Sequence, residues 1–407
     1  MSFDLALSGI NAANTDLNVI SNNIANVNTT GFKQSRAEFG DLFAQTQTGV
    51  AQTAVGNGVQ VSEVAQEFGQ GNITTTSNNL DLALSGNGFF ILSNNGALSY
   101  TRNGAFQVDQ NGYLVDSSGN RVQGYPPLAT GGFNTGGLAD MQLTTAESQP
   151  KATTTAGLTL NLPSDATAPA TATFSPSDPT SYTDATPLTV YDSLGAAHTA
   201  QLYFIKGSAA NSWTANLYVD GNAVGTGQAL GFSSSGALTT PAGGKVNFGT
   251  YTPATGAAPM NITFDLSSAT QYGTSFGVNS VTQNGYTTGS LTGINISATG
   301  VIQANFTNGQ SNTLGQLALA NFSNPQGLQQ TGNTQWVQSY ASGDPVQGVA
   351  GSSGFGSLQS GALESSNVDI TTQLVDMITA QRDFQANAQM ISATNQVTQS
   401  IINIPNA

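Results

Sequence analysis

From Glu364 to Asn403 the chain carries neither glycine nor proline, although its 407 residues include 47 glycines and 14 prolines. A stretch so clear of both breakers has one good option, a long α-helix. Leu374, Met377, Phe384, Ala388, Ile391 and Ile402 trace one face of it, interrupted by Gln381, Asn395 and Thr398. Asn367 or Asp369 is placed to cap its start, and Pro405 follows its end. The other terminus has the same character. Phe3, Ala6, Ile10, Ala13, Leu17, Ile20, Ile24 and Val27 recur at alternating steps of three and four, as in a coiled-coil seam. Gly31, after Thr29 and Thr30, is a natural stop.

Within that first helix the stretch "VISNNIANVNTTGFK" sets four poor helix formers, Asn22, Asn23, Asn26 and Asn28, beside the apolar seam. Off the seam, they are expected to face water or another protein. Large apolar residues on so short a helical pair bring limited stabilisation against the cost of ordering it. Both termini are therefore expected to be disordered in a monomer and helical in an assembly, where they pack against many neighbours.

Between the helices the texture changes. From about residue 71 the chain is rich in Gly, Asn and Thr, with short alternating runs and turn dipeptides. "AFQVDQNGYLVDSSGNRVQGY" reads as three short strands joined by turns at Gln110–Gly112 and Ser117–Asn120. A Pro-, Ser- and Thr-rich tract, "LNLPSDATAPATATFSPSDPTSYTDATP", reads as a loop or boundary. "LTVYDSLGAAHTAQLYFIKG" and "SWTANLYVDGNAV" then read as hairpin strands. The expected class is α+β, mainly β: two terminal helices packed as a coiled-coil-like pair, with nested, discontinuous β-domains between them.

Charged residues make up 7% of the chain and the net charge is −14, with eight Lys and Arg in all. No basic cluster exists to displace counterions from nucleic acid, and the same deficit disfavours anionic membranes. There is no cysteine, so disulfides, thiol catalysis and zinc–thiolate sites are excluded. No apolar run approaches a membrane span, and the N-terminus lacks the basic and apolar regions of a cleaved signal peptide.

Catalytic chemistry finds little support. His198 is the one histidine and reads as a polar strand residue. Asp109, Asn111 and Asp116 suggest a calcium loop, but Gly112 comes too early and the closing Glu is missing. "GVAGSSGFGSL" is glycine-rich, but no Lys-Ser/Thr follows to make a phosphate loop. No enzyme activity, cofactor or metal is expected.

Three segments together carry a resemblance. "SGINAANTDLNVISNNIANVNTTGFKQSRAEFGDLF" (Ser8–Phe43) resembles the N-terminus of the bacterial flagellar rod and hook axial family. "GALESSNVDITTQLVDMITAQRDFQANAQMI" (Gly361–Ile391) resembles that family's C-terminus. "LDLALSGNGFFIL" with "YTRNGAFQVDQNGYLVD" (Leu80–Asp116) resembles the segment its members share after the N-terminal region. The insertion from about Thr144 to Asn284 resembles the outer domain of the hook branch, which the shorter distal rod members lack. The alternatives are a distal rod subunit or, from another class, a secreted all-β adhesin.

The resemblance implies an inner helical domain from residues 1–30 and 364–407, and a connector over 31–70. It implies a middle β-domain from 71–144 and 285–363, and an outer β-domain over 145–284. It implies a structural subunit that polymerises into a curved hollow tube, extracellular in the flagellum and exported without a cleaved signal. The implied partners are further copies of the chain, a hook cap protein, the distal rod protein, the hook–filament junction protein and the flagellar type III export gate; neither nucleic acid nor membrane is among them. The expected assembly residues are Phe3, Ile10, Leu17, Ile20, Ile24, Val27, Leu374, Met377, Phe384, Ala388, Ile391 and Ile402. Phe3 and Leu7 match the spacing of the family's export signal.

Overall fold

The computed structural model describes residues 2–42, 56–143 and 146–402. Helix α1 runs over Ser2–Ala25 and helix α2 over Ile370–Ile402. Helix α1 stops short of its apolar periodicity, which runs to Val27, and α2 begins six residues into the stretch free of glycine and proline, each for a local reason. After Ala25 the side chains of Asn26 and Thr29 bond within the segment. Asn26 Nδ2 donates to the Asn22 carbonyl at 2.9 Å, and Thr29 Oγ1 donates to Asn26 Oδ1 at 3.1 Å. Such bonds offer the backbone an alternative to the next helical turn. Gly31 then sits at φ +69°, where a Cβ would lie 2.5 Å from the Asn103 amide nitrogen, so only glycine fits. At the other end, Asp369 rather than Asn367 is the cap: its Oδ1 accepts from the amides of Thr371 and Thr372 at 2.8 and 2.9 Å.

The chain forms two compact units. The first comprises Met1–Thr145, Gly293–Ala304 and Ser311–Ala407, and the second Ala146–Thr292 and Asn305–Gln310. In the first unit, β1 (Ser35–Asp41) pairs antiparallel with β2 (Val59–Gln66), with a bulge at Glu38/Phe39, and this ladder packs on α1. Beyond it lies a larger antiparallel sheet. Strand 89–94 is central to it, paired with 97–101, 121–125 and 311–321. This strand is buried on both faces. Phe90 and Leu92 enter one apolar cluster with Leu82, Leu84 and Leu317, while Phe89 and Ile91 enter another with Tyr100 and Trp336. Double burial explains why its sequence reads as a continuous apolar run rather than an alternating one. Phe68, just after β2, packs edge-on against Phe89 and Trp336, tying the connector to this core.

Two short ladders join distant parts of the chain. Residues 82–85 pair with 357–360, and 73–75 pair with 362–364. Beside them the roots of both helices meet at a buried ion cluster. Glu364 is fully buried; its Oε1 accepts from Lys33 Nζ at 2.6 Å and from the Gly71 amide at 2.9 Å. Its Oε2 faces Arg102 Nη1 at 3.3 Å, and the Arg102 guanidinium lies over the Phe89 ring. Lys33 also donates to the Gly69 carbonyl at 2.7 Å and Arg102 to the Gly86 carbonyl at 2.8 Å. Burial pushes both cations below their ordinary pKa values, against the opposing pull of Glu364.

The second unit is a sandwich of two five-stranded sheets. One is a meander of 184–191, 197–206, 212–219, 222–232 and 238–240. In the other, strand 155–163 pairs parallel with 260–265 and 270–272 and antiparallel with 277–283. Leu158, Leu160, Val246 and Phe264 from one sheet interlock with Val190, Leu202, Phe204 and Trp213 from the other. The Pro-, Ser- and Thr-rich tract begins and ends in strands and loops between them. Asp109 and Asp116 hold turns: their Oδ1 atoms accept from the Asn111 and Tyr113 amides and from the Ser118 and Asn120 amides.

In the second unit His198 lies on strand 197–206, as read from the sequence, and is buried there as an ionic bridge. Its Nδ1 faces Asp220 Oδ2 at 2.5 Å and its Nε2 faces Asp192 Oδ2 at 3.2 Å. Burial opposes the imidazolium, but the hydrogen bonds it donates to Asp220 and Asp192 outweigh this and raise the pKa above the ordinary value. The two carboxylates are lowered: their own burial resists this, and the bonds from His198 and nearby groups overcome it.

A raised histidine pKa contributes stability that is full below its unfolded value of about 6.5 and lost as pH climbs through the folded value. The lowered carboxylates contribute above about pH 4 and lose their effect in acid. Raising the pH from about 5.5 to about 9 should therefore lower the second unit's unfolding midpoint, and His198→Gln should flatten that dependence. For the first unit, Glu364→Gln leaves two buried cations without their anion. Denaturant unfolding should show a loss of about 3–5 kcal/mol there, with the second unit's transition unmoved.

Candidate assembly interface

The helices α1 and α2 pack antiparallel, with Gly9 against Asn387 near one end and Asn23 against Gln373 near the other. The contact uses small residues. Ala6, Ala13 and Ile20 of α1 are buried, as is Ala380 of α2, and Gly9 lets the Asn387 side chain lie close. Ala12 is buried on the flank toward β1 and β2, where Ser8 Oγ accepts from the Val59 amide at 3.2 Å.

Asn23 overturns one expectation. It does not face water or another chain. It is 1% exposed and closes the junction of α1, α2 and β1. Its Nδ2 donates to Gln373 Oε1 at 2.9 Å and to the Ser35 carbonyl at 2.8 Å, and its Oδ1 accepts from the Ser35 amide at 2.9 Å. A fully satisfied buried amide specifies register, because any shift would strand its donors. Asn22 and Asn28 are exposed, and Asn26 is half-buried in the turn that ends the helix.

The apolar residues read from the sequence distribute unevenly. Ile20 is buried within the chain. Ile10, Leu17, Ile24 and Val27 are half-buried, and Phe3 and Leu7 are exposed. On α2, Met377, Ala388 and Ile391 are half-buried, whereas Leu374 and Phe384 are exposed; Ile402 ends the helix, its side chain outside the described residues. The chain thus gives its smallest apolar residues to its own partner helix. A larger stripe, Phe3, Leu7, Ile10, Leu17 and Ile24, runs along the flank of that seam. The periodicity of α2 did not reveal that Ile370, Val375, Ile378, Met390 and Val397 also stand exposed, Val375 and Val397 at 59%. So many large apolar side chains left exposed on one helix pair mark a contact with other protein.

Other chemistry is sparse. Among the described residues no cluster of three His, Cys, Asp or Glu is arranged to hold a metal ion, and no helix is long and apolar enough to cross a membrane. Asp16 of α1 is half-buried near Asp376 and Asp383 of α2. Its carboxyl is raised by burial and then by repulsion from those two charges.

Comparison with known proteins places this architecture. Four family models match in chain order: the flagella basal body rod protein over 3–33 and the flagellar hook protein FlgE/F/G D1 domain over 83–171. They are followed by the flagellar basal body protein FlaE D2 domain over 161–286 and the flagellar basal body rod FlgEFG protein C-terminal over 359–404. The chain is 40% identical to the flagellar hook protein FlgE of Salmonella typhimurium, over 99% of this chain and 100% of that one. It is 38% identical to that of Escherichia coli K12 over the same shares, and 32% identical to that of Borreliella burgdorferi over 98% of each. A crystal structure of Helicobacter pylori flagellar hook protein FlgE2 shares the fold, with a TM-score of 0.53 at 15% identity, covering 72% of this chain and 100% of that one. With near-complete matches to hook proteins and two helices whose larger apolar residues face outward, the chain belongs to the flagellar hook protein FlgE family.

Proposed function

We propose that this chain is the structural subunit of the bacterial flagellar hook, polymerising into a curved hollow tube that joins the rod to the filament as a universal joint. One observation carries the reading: 40% identity to a hook protein over 99% of the chain, in a molecule whose terminal helices leave a large apolar surface uncovered. The exposed and half-buried helical residues, Phe3, Ile10, Leu17, Ile24, Leu374 and Phe384 among them, form the contact between copies. In this reading the helices are the inner domain of the tube and the second unit is the outer domain. The rod protein, a cap protein and the hook–filament junction protein are its axial partners. Phe3 and Leu7 are offered to the type III export gate before the helix folds, so one short segment serves export first and assembly later.

A joint must resist twist while its subunits change spacing as the curved tube turns. A surface with 7% charged residues and abundant Ser, Thr, Asn and Gly suits this. Water bridges between such groups re-form in many arrangements, whereas buried ion pairs hold one.

The purified chain should form tubes visible by electron microscopy. Deleting residues 2–25 should abolish them and leave the second unit's unfolding unchanged; a truncated chain that still polymerises would refute the assembly role. Leu374→Ser with Ile378→Ser removes two side chains each contributing about 1.5–3 kcal/mol on burial. The critical concentration, read by sedimentation, should rise at least about ten-fold. Circular dichroism should show more helix in polymer than in monomer, and equal content would count against coupled ordering.

A further inference from the structure

The outer face of α2 carries a cation that nothing in its own chain answers. The sequence has four arginines. Arg36 pairs with Glu38 and Glu67, Arg102 with Glu364, and Arg121 with Asp140. Arg382 is exposed and has no hydrogen bond or ion pair among the described residues. It lies two residues beyond Ala380, which faces α1, so it projects about 200° around the helix from the intrachain seam. Val375 and Ile378 stand exposed on the same side. The face mixes these apolar side chains with uncharged polar ones such as Gln385 and Gln389, and Arg382 is the one charge in it.

Elsewhere on the helix pair is a cavity of the opposite character. It measures about 330 Å³ and is floored by Gly9, Ala12, Ala13 and Ala380. Phe39 of β1 forms a wall, itself 43% exposed, and Asp16 and Asp383 border the cavity from the two helices. Among the described residues no cation pairs with either carboxylate. The raised carboxyl of Asp16 records this unmet charge: burial and its acidic neighbours press against ionisation. Small residues make room for an aliphatic stem, an aromatic ring offers its face to a guanidinium, and two carboxylates offer acceptors. Arg382 of the same chain does not line this cavity.

We infer that Arg382 of one copy enters the cavity of a neighbouring copy, between Asp16 and Asp383 and against Phe39; this rests on the reading that the chain polymerises through its helices. Charge complementarity selects the occupant, since Arg382 is the arginine left without a partner. The geometry also sets the kind of assembly. Knob and socket lie on different faces, so the contact is heterologous, and a heterologous contact that does not close builds an open helical array. Such a contact also weakens as salt is added, to the extent that it is solvent-exposed.

The test uses the full chain and its critical concentration for polymerisation. Wild type must polymerise; if it does not, the assembly reading itself fails. Arg382→Glu should leave the monomer's helix content and unfolding midpoint unchanged, because the side chain is exposed and makes no hydrogen bond or ion pair among the described residues, yet raise the critical concentration at least about ten-fold. Asp383→Lys, at an exposed position, should do the same. Mixing the two variants restores complementary charge at every junction of an alternating polymer, so the mixture should polymerise where each alone does not. Wild-type behaviour of Arg382→Glu would overturn the contact while leaving the assembly reading intact. So would failure of the mixture after both single variants fail, which would give Arg382 another partner.

Discussion

The buried carboxylate of Glu364 is the constraint on which the first unit depends. It sits where a charge is costly and is stabilised from two sides, by Lys33 just after the first helix and by Arg102 in the central sheet. The three residues are far apart in the chain, so Glu364 has both of its cations only when all three segments are in place. A buried charge left alone costs far more than the assembled cluster returns, which makes the arrangement close to all-or-none. The short ladders of 73–75 with 362–364 and 82–85 with 357–360 bring the segments together, and the ion cluster rewards the correct meeting. Both helices are rooted at this point.

The second unit follows a different logic. Its core is built almost wholly from one continuous stretch, with alternating residues of two sheets facing each other. Its meander forms from sequence neighbours, and its one buried histidine bridges two turns of the same unit. Every residue of that core lies within the unit, and neither terminus contributes to it.

The helices divide their apolar residues by size. Gly9, Ala6, Ala13 and Ala380 bring α1 and α2 close together, while Leu374, Val375, Ile378 and the Phe3–Leu7–Ile10 stripe remain available. A helix pair that buried its largest residues internally would be more stable alone and less able to join a lattice. Asn23 then sets register at modest cost, its amide fully bonded to Gln373 and Ser35.

The presence and type of the terminal helices, the β-rich middle, the turns at Asp109 and Asp116 and the family itself were legible in the sequence. These depend on local periodicity, turn chemistry and long shared motifs. The same periodicity did not reveal which residues of each helix face inward. Of the seam read from the sequence, Ala6, Ala13 and Ile20 are buried, while Ile10, Leu17 and Ile24 lie on its flank, because β1 and β2 press on α1 as a third partner. Small residues carry little hydrophobic signal, so Gly9 and Ala380, which let the helices approach, were the least conspicuous part of the contact. The roles of Glu364, His198 and Arg382 were likewise invisible there. A charge is buried, bridged or left over only relative to what packs around it, and that is decided by segments hundreds of residues apart coming together in three dimensions.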